Sequence, residues 1–481
     1  MSNTGTVISM QAIESRVSQS LVALLLRQVI AYGAIFFGNI FLSRWLLPET
    51  YGVFAAALAF QQMLVVFSDL GLGPALIQRA EKPTEDEIAS LFTVQLLLVV
   101  TLLAIIWMLA PWIAMLVELG NFGTNLVRTL ALILLVVAFR SIPAMLLERD
   151  LHFKVIAFAE TTGLVIYQIV LVVLVWYGVG VSSIIWGLIA RYLSDLLIIL
   201  YNYPWRPKLS LRIQVILPYI GFGLNMQGVR LASYAKDQLP LLLLVPLLGV
   251  ASAGEWGWAL SYVGLPMYFL RLTDRAMFPA YSRVQGDRRQ LSMLVDQALW
   301  LNLIIGLPLL VILVMLAPLL VGLIYGKVWL STLPIINVLF FNMVGGLITG
   351  TAFPVLYGVG KSKSAFRLFT IWLALTCVGS IIGIYTAQLF GIAVAFAFAT
   401  SVIAIVMLFM LRDVVDVKPL QVFATPIIGS LGAAAFAKFA VSIDMYWLSS
   451  IVLTLGIYIV IIYCLDAPKI HQFAKKVILA P

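Results

Sequence analysis

The chain contains 481 residues, 63% of them hydrophobic and 11% charged, and its mean hydropathy is +1.07. This composition excludes a water-soluble globular protein and indicates an integral membrane protein. The formal net charge of +9 arises mostly from lysine and arginine in short connections between apolar runs, which argues against nucleic-acid binding.

Apolar runs recur along the chain, each near the roughly 20 residues that an α-helix needs to cross about 30 Å of hydrocarbon. They lack the ten-residue alternation of a membrane β-barrel, so we predict an all-α polytopic membrane protein with about fourteen spans. The first six spans are predicted at 21–42, 51–72, 88–110, 125–147, 155–177 and 179–201. The other eight are predicted at 215–249, 256–278, 296–325, 333–357, 366–388, 391–411, 420–441 and 446–465.

Lysine and arginine are concentrated in alternate connections, which predicts the orientation because basic residues resist translocation across a membrane. These connections contain Arg79 and Lys82, Arg149 and Lys154, Arg206 and Lys208, Arg288 and Arg289, Lys361 and Lys363, and Arg412 and Lys418. The opposite connections contain little beyond Arg44 and Lys327. We therefore expect the basic connections and both termini to face the cytoplasm.

Two parts of the sequence resemble each other at a shift of about 205 residues, a feature typical of duplicated transporters. LLPETYGVFAAAL is similar to LLGVASAGEWGWAL, and SDLGLGPALIQR is similar to TDRAMFPAYSRV. The matched pairs are Tyr51 with Trp256, Gly52 with Gly257, Asp69 with Asp274, and Pro74 with Pro279. Chance similarity between apolar segments is the alternative. The repeat predicts two six-helix lobes related by a two-fold axis along the membrane normal, because an even helix count starts both copies on one side.

The repeat divides the chain into predicted regions. They are a cytoplasmic leader at 1–20, an N-lobe at 21–201, an inter-lobe linker at 202–214, a C-lobe at 215–411, two further helices at 420–465 and a cytoplasmic tail at 466–481. Cys377 and Cys464 lie in separate predicted spans, and His152 and His471 lack metal-ligand spacing. We therefore predict no metal site and no cofactor.

Residues 226–249, MQGVRLASYAKDQLPLLLLVPLLG, contain an arginine, a lysine and an aspartate inside a predicted span. A charge at the bilayer centre costs roughly 2.5 to 3.5 kcal/mol, so this helix needs a polar environment. At about 100° per residue, Lys236 points away from a stripe formed by Gln227, Arg230, Ser233, Tyr234 and Asp237. We expect this stripe to face a water-filled interior.

Other predicted spans also contain charged residues. The basic ones are Arg27, Arg140, Arg191, Arg271 and Arg275, and the acidic ones include Asp69, Glu160 and Asp195. Arg140, Arg271 and Arg275 could instead extend to the inner membrane surface as topology anchors. Arg191 and Asp195 are spaced i,i+4 and could simply pair on one helix face.

Several segments carry a resemblance to a known family. They are LSRWLLPETYGVFAAALAF, SDLGLGPALIQR, the run PAYSRVQ at the end of the eighth span, and APLLVGLIYGKVW. As an ordered set they resemble the polysaccharide-transport branch of the multidrug/oligosaccharidyl-lipid/polysaccharide flippases. This branch contains the O-antigen and exopolysaccharide repeat-unit flippases, and the resemblance covers about residues 20 to 415.

The resemblance implies two six-helix lobes around a central cavity in a bacterial inner membrane, with two more helices behind them. It implies a transporter, not an enzyme. The implied substrate is a polyprenyl-pyrophosphate-linked oligosaccharide, moved from the cytoplasmic to the periplasmic leaflet by alternating access. Polysaccharide polymerase and glycosyltransferases would be its partners, together with membrane lipid.

The same resemblance suggests site residues. Cationic cavity residues receive the pyrophosphate in members of that family, and Arg230 and Lys236 occupy the corresponding part of the seventh helix. Guanidinium groups bind phosphate oxygens in bidentate fashion, which suits Arg230 to this role. Further substrate-binding candidates are Arg27, Arg140, Arg191, Arg271, Arg275, Gln227 and Tyr234, and ion-coupling candidates are Asp237, Asp69, Glu160 and Asp195.

Three other functions are weighed against this one. A polytopic polysaccharide polymerase or ligase would need a sizeable periplasmic loop with acid, base or arginine groups, and the predicted periplasmic loops are short. A multidrug or cation antiporter of the same superfamily would need an acidic cavity, whereas the intramembrane charges lean basic. A purely structural membrane scaffold has no need of a polar stripe inside a span.

Overall fold

The computed structural model describes residues 29–69, 83–116, 123–150, 152–267, 281, 284–416, 418–443 and 445–478. All regular secondary structure in these ranges is helical, which confirms the predicted all-α fold class. Arg27, Arg271 and Arg275 lie outside the described residues, as do the predicted leader at 1–20 and the repeat residues Pro74, Asp274 and Pro279.

Six helices make up the first half of the described chain. They are α1 (Val29–Trp45), α2 (Pro48–Phe67), α3 (Glu85–Leu116), α4 (Gly123–Arg149), α5 (Phe153–Trp176) and α6 (Ser182–Asn202). Pro48 lies in the first turn of α2, where a missing backbone N–H removes no helical hydrogen bond. A reciprocal capping box starts α3: the Thr84 N–H donates to Glu87 Oε2 over 2.7 Å, and the Glu87 N–H donates to Thr84 Oγ1 over 3.2 Å.

The second half continues with seven long helical elements. They are α7 (Ile213–Leu248), α8 (Val250–Val263), α9 (Arg288–Met315), α10 (Leu333–Gly358), α11 (Ser362–Leu411), α12 (Pro419–Ser442) and α13 (Trp447–Ile478). Gly249 separates α7 from α8 with a φ of 83°, a conformation that favours glycine. The predicted span at 256–278 therefore begins earlier, at Val250, and its last part lies outside the described residues.

The predicted span at 296–325 is broken in the structure. Helix α9 ends at Met315, and Ala317–Leu320, a π-helical turn at Val321–Tyr325 and a 3₁₀ helix at Lys327–Thr332 then lead to α10. A proline, residue 318, lies in the first turn of Ala317–Leu320. Because proline has no N–H and disfavours the helical conformation in the residue before it, the α9 helix ends there.

Helix α11 is a hairpin of two helical limbs. Its 50 residues would extend about 75 Å if straight, more than twice the thickness of the hydrocarbon core. The backbone leaves the helical conformation at Ala387 and Gln388. Beside this turn a Cβ on Gly383 would come within 2.5 Å of the Gly391 carbonyl, so the limbs touch through their backbones. The turn falls at the boundary predicted between spans 366–388 and 391–411.

Eleven helices among the described residues are long and apolar enough to cross a membrane, and Val29–Trp45 is a shorter apolar helix. The long helix that contains the α11 hairpin is one of the eleven. The chain is therefore a multi-pass membrane protein, as predicted. The count of fourteen spans stays a prediction.

Helix α2 connects the two halves of the chain. It contacts α4 and α6 in the first half and both α7 and α8 in the second. In the second half, α7 contacts α8 and α11, and α10 contacts α8, α9 and α11. Helices α12 and α13 pack against each other and against α9. The predicted region boundaries and the two-fold relation between whole lobes stay predictions.

The backbones of α2 and α8 meet at two glycines. A Cβ added to Gly52 would overlap the Val250 carbonyl oxygen and lie 2.9 Å from Gly254 N. A Cβ added to Gly254 would overlap the Pro48 carbonyl oxygen and lie 2.8 Å from Gly52 N. Each helix thus contributes the same two positions to the contact, which is the pattern that a local two-fold axis produces.

This contact differs in register from the sequence repeat. The repeat matches Gly52 with Gly257, but the structure places Gly254 against Gly52. Gly254 and Gly257 are three residues apart and lie on one helix face, so residue similarity alone does not distinguish them. A Cβ on Gly257 would lie 3.0 Å from the Ala55 Cβ, so Gly257 faces a side chain of α2 instead of its backbone.

The turn of α11 generates a stability prediction. Gln388 has φ 50° and ψ −130°, a conformation that glycine adopts readily and other residues rarely. We expect Gln388→Gly to stabilise the protein by about 1 kcal/mol, because glycine relieves this strain. Thermal unfolding of the purified protein in detergent measures the effect. Gln388→Val should lower the melting temperature, and a glycine variant that melts no higher than the original chain would contradict the assignment of strain.

Candidate functional site

Three residues of the predicted polar stripe of α7, namely Gln227, Arg230 and Tyr234, lie at the contact with α2, whereas Ser233 and Asp237 line a cavity. The Gln227 side-chain amide donates to the Val66 carbonyl, and the Tyr234 hydroxyl donates to the Ala59 carbonyl. Gln227 is only 6% exposed. The expectation that these two side chains face a water-filled interior is therefore wrong for this conformation. Two neighbouring membrane helices supply each other with the hydrogen bonds that lipid cannot provide.

Arg230, the central residue of the stripe, forms an ion pair across the same helix contact. Its Nη1 lies 2.7 Å from Oδ2 of Asp69, which follows the end of α2. The Arg230 side chain is 52% exposed and the Asp69 side chain 25% exposed. The pair therefore joins α7 to α2 and still leaves part of the guanidinium open to an anion.

A second charge cluster joins α4, α5 and α6. Arg140 Nη2 lies 3.1 Å from Glu160 Oε1, and Arg140 Nε lies 3.4 Å from Asp195 Oδ2. The Asp195 side chain is only 4% exposed. Because Arg140 lies between two carboxylates inside the helix bundle, its surroundings are those of a structural network.

Asp195 thus pairs with Arg140 and not with Arg191, the i,i+4 partner that the sequence suggested. The physical reason is space beside a neighbouring helix. A Cβ on Gly163 of α5 would overlap Asp195 Oδ1, so the missing side chain leaves room for the carboxylate to turn toward α5 and α4. Arg191 lines a polar cavity beside α6.

Lys236 and Asp237 form a pair of consecutive residues on α7. Side chains at i and i+1 do not normally face each other on a helix, yet Lys236 Nζ contacts Asp237 Oδ1. Lys236 Nζ also lies 4.0 Å from the centroid of the Trp372 ring, in cation–π geometry. The Lys236 side chain is 11% exposed and that of Asp237 is 53% exposed. Trp372 therefore covers the ammonium and leaves the carboxylate accessible.

Lys236 and Asp237 line a cavity of about 590 Å³ between α7, α8, α9, α10 and α11. Its polar lining includes Ser233, Gln238, Ser261, Asn302, Asn342 and Thr400. An aromatic stack forms part of the wall, with 4.2 Å between the ring centroids of Phe353 and Phe369 and an angle of 3° between the rings of Phe353 and Trp372. Polar groups and aromatic faces of this kind fit a hydroxylated or charged ligand.

A second cavity, of about 380 Å³, lies between α1, α2, α5 and α6 on one side and α7 and α8 on the other. Its polar lining includes Asn39, Gln62, Tyr167, Gln168, Arg191 and Trp256. Four residues, Asp237, Gln238, Leu260 and Ser261, line both cavities. The walls contributed by α7 and α8 therefore lie between two polar spaces.

The structure divides the predicted site residues among three places. The contact of α7 with α2 contains Gln227, Arg230, Tyr234 and Asp69. The two cavities are lined by Arg191, Lys236 and Asp237. The structural network consists of Arg140, Glu160 and Asp195.

The predictions missed four residues that line the cavities: Gln168, Asn302, Asn342 and Trp372. The amide side chains had a readable signal, because uncharged polar groups inside apolar spans also need a partner. Trp372 had none, since one tryptophan among many does not reveal which cation it covers.

The fold and the lining of these cavities define a class of protein. Helices that cross the membrane and enclose polar cavities are the arrangement of a membrane transporter. The match of a family model to residues 41–334 goes further, and the chain belongs to the polysaccharide biosynthesis protein family. The resemblance found in the sequence is thereby confirmed.

Two relatives illustrate the family. The lipopolysaccharide biosynthesis protein WzxC of Escherichia coli K12 is 24% identical over 319 residues, which cover 65% of this chain and 63% of that protein. The succinoglycan biosynthesis transport protein ExoT of Rhizobium meliloti is 25% identical over 342 residues, which cover 68% of this chain and 66% of that protein. The matched region thus spans a little under two thirds of each relative.

Solved structures show the same fold. The lipid II flippase MurJ in an inward closed conformation aligns with 93% of this chain and 99% of its own length, with a TM-score of 0.75 and 15% identity. An inward-facing multidrug resistance MATE family transporter of the MOP superfamily aligns with 80% of this chain and 94% of its own, with a TM-score of 0.64 and 16% identity. At these identities the likeness concerns the fold alone.

The contact of Lys236 with Trp372 generates a measurable prediction. A partly desolvated cation–π contact is worth about 0.5 to 2 kcal/mol, so Trp372→Leu should destabilise the protein by that amount beyond its loss of packing. We would measure Trp372→Leu by thermal unfolding, both alone and in a Lys236→Met background. The penalty should be smaller in the second background. Equal penalties in both backgrounds would show that the ring face does not stabilise the ammonium.

Proposed function

We propose that this protein is a flippase that moves polyprenyl-pyrophosphate-linked oligosaccharide repeat units from the cytoplasmic to the periplasmic leaflet for surface polysaccharide biosynthesis. The proposal is carried by one observation: this chain belongs to the polysaccharide biosynthesis protein family, and its helices enclose polar cavities. The names of the relatives, which refer to lipopolysaccharide and to succinoglycan transport, support it, as does a fold shared with a lipid II flippase.

A lipid-linked oligosaccharide sets opposing requirements on its carrier. The pyrophosphate and the sugars must leave water and cross about 30 Å of hydrocarbon, whereas the polyprenyl tail is already soluble in lipid. A cavity with amide, hydroxyl and charged side chains supplies partners for the polar part. The two cavities around α7 and α8 are suited to this task.

Arg230 is the residue we propose to receive the pyrophosphate. Its guanidinium is half exposed, and one edge is held by Asp69. Phosphate oxygens accept charge-assisted hydrogen bonds from a guanidinium in the same geometry as a carboxylate does. A pyrophosphate would therefore compete with Asp69, and its binding would loosen the ion pair that joins α7 to α2. Lys236 and Arg191 would supply further positive charge along the cavities.

The end of α1 that is predicted to face the periplasm makes several contacts with the second half of the chain. Trp258 Nε1 donates to Ser43 Oγ over 2.8 Å, and Trp329 Nε1 donates to the Ser43 carbonyl over 2.9 Å. Arg44 Nε donates to the Ile324 carbonyl over 2.6 Å. Together with the glycine contact of α2 and α8, these bonds support a conformation closed toward the periplasm. Alternating access requires them to separate.

We also propose a cellular location and partner enzymes for this protein. We place the protein in the bacterial inner membrane with both termini in the cytoplasm, because basic residues are concentrated in the connections on that side. It would act as a transporter without a catalytic step, alongside glycosyltransferases that build the repeat unit and a polymerase that consumes it. A multidrug antiporter is the alternative, which the shared MATE fold supports and the basic residues Arg191, Arg230 and Lys236 disfavour.

The first functional prediction concerns energy. Outward movement of a pyrophosphate with about two negative charges follows a membrane potential that is negative on the cytoplasmic side, worth about 2.3 kcal/mol per charge at 100 mV. In proteoliposomes, that potential alone should drive lipid-linked oligosaccharide to the periplasmic face of the protein. Asp237→Asn should keep much of this activity. Transport that ignores the potential and stops without a proton or sodium gradient would instead identify Asp237 as the first coupling candidate to examine.

The second functional prediction concerns Arg230. Arg230→Ala should weaken substrate binding by about 1.5 to 3 kcal/mol, the usual value of a hydrogen bond to a charged group. Arg230→Lys should restore only part of the affinity, since an ammonium lacks the bidentate fork. The measurement is transport in the same proteoliposomes at several substrate concentrations, with Arg288→Ala, a cation near the predicted cytoplasmic surface, as control. Full transport by Arg230→Ala at low substrate would refute this role.

A further inference from the structure

The connection between α6 and α7, residues 203–212, lies against the first three turns of α3. The Lys208 ammonium lies 2.5 Å from the Glu85 carboxylate, and the Ser210 N–H donates to Thr93 Oγ1 over 3.0 Å. This connection joins the two halves of the chain and is predicted to face the cytoplasm. It is bound to a helix of the first half, so it is not a free tether.

Arg212, the last residue of this connection, binds α3 twice. Its Nη1 lies 2.7 Å from Asp86 Oδ2, and its N–H donates to Ser90 Oγ over 3.4 Å. Asp86 and Ser90 are four residues apart, so they are neighbours on one face of α3. One residue of the connection thus holds one turn of the helix with both its backbone and its side chain.

The connection that follows α11 binds the start of α9 in the same way. Nη2 of Arg288 lies 2.8 Å from Asp416 Oδ1, and the Asp416 N–H donates to Ser292 Oγ over 2.8 Å. Arg288 and Ser292 are again four residues apart on one helix face. The same Arg288 nitrogen also donates to the Arg412 carbonyl over 2.9 Å.

The two sites correspond residue by residue, but their charges are reversed. At close to the repeat shift of about 205 residues, the corresponding pairs are Asp86 with Arg288, Ser90 with Ser292 and Arg212 with Asp416. The helix contributes the carboxylate at the first site and the guanidinium at the second. An exchange of the two connections would bring like charges together, so each connection fits only its own helix.

Several weak contacts hold the first connection. Exposed ion pairs stabilise little by themselves, and the side chains of Arg212 and Asp86 are both more than half exposed. The N–H groups of the connection add their hydrogen bonds, and Trp205 packs edge-on against Phe92 of α3 with 4.9 Å between the ring centroids. Helix α7 begins at Ile213, directly after the last of these bonds.

We propose that residues 203–212 form a clamp that stays bound to α3 while the two halves of the chain move relative to each other. The movement is then taken up at the junction of Arg212 with α7 and not along the connection. Residues 412–416 form the second clamp, on α9. The proposal rests on the flippase function only in so far as the movement is that of alternating access.

Hydrogen exchange of the full chain in lipid nanodiscs tests the first clamp without any substrate. Asp86→Arg places two guanidinium groups together and should speed amide exchange in residues 208–212 about threefold or more. Adding Arg212→Asp copies the polarity of the second clamp and should restore the original rate. Exchange in residues 412–416 should stay unchanged, which also shows that the variants are folded.

Arg206→Gln is the matched control for this measurement. Arg206 lies in the same connection, and its side chain forms no ion pair within the described part of the chain. Its substitution should leave the exchange of residues 208–212 as it was. Unchanged exchange in Asp86→Arg, or no recovery in the double variant, would overturn the clamp.

A disulfide tests whether the clamp stays closed during transport. Thr93→Cys and Ser210→Cys are introduced together into a chain with Cys377→Ser and Cys464→Ser. Transport of polyprenyl-pyrophosphate-linked oligosaccharide in proteoliposomes should differ less than twofold between the oxidised and reduced forms.

Two results of this test contradict the proposal. A disulfide that does not form would contradict the contact itself, and transport that stops on oxidation and returns on reduction would show that the connection must leave α3. If neither form transports while the exchange results hold, the flippase function is wrong and the clamp stands.

Discussion

The backbone contact of α2 with α8 at Gly52 and Gly254 is the constraint on which the other contacts between the two halves depend. Only residues without a Cβ allow two helices to approach this closely. The approach brings Trp258 of α8 and Trp329 of the 3₁₀ helix against the end of α1, where both donate to Ser43. It also aligns α7 with α2, so that Gln227 and Tyr234 reach α2 carbonyls.

The charged side chains in the spans differ in their nearest partners. Arg140 lies between Glu160 and Asp195 and stabilises the packing of α4, α5 and α6. Arg230 pairs with Asp69 at the contact of α7 with α2, and its side chain is 52% exposed. Lys236 lies under Trp372 at the wall of a cavity. Arginines and lysines of similar appearance in the sequence therefore have different surroundings in the structure.

The walls of the two cavities contain uncharged polar side chains as well as charged ones. Amide and hydroxyl groups in lipid-spanning helices normally bond to a neighbouring helix, as Asn342 does to Thr400 over 2.7 Å. Two polar atoms of residues beside the smaller cavity, Gln168 Oε1 and Trp256 Nε1, are buried without a hydrogen-bond partner within the protein.

The sequence by itself determined that the protein lies in a membrane, that its spans are helical, and to which family it belongs. Apolar runs of membrane-spanning length and an ordered set of family segments are local properties of the chain, so they can be read without the tertiary structure. It also identified α7 as a helix with three charged residues inside a span. Only the tertiary structure decided which side of α7 meets α2, which carboxylate neutralises Arg140, and that Gly254, not Gly257, opposes Gly52. Those outcomes depend on how neighbouring helices rotate and approach, and a helical periodicity specifies which residues share a face without specifying what that face will touch.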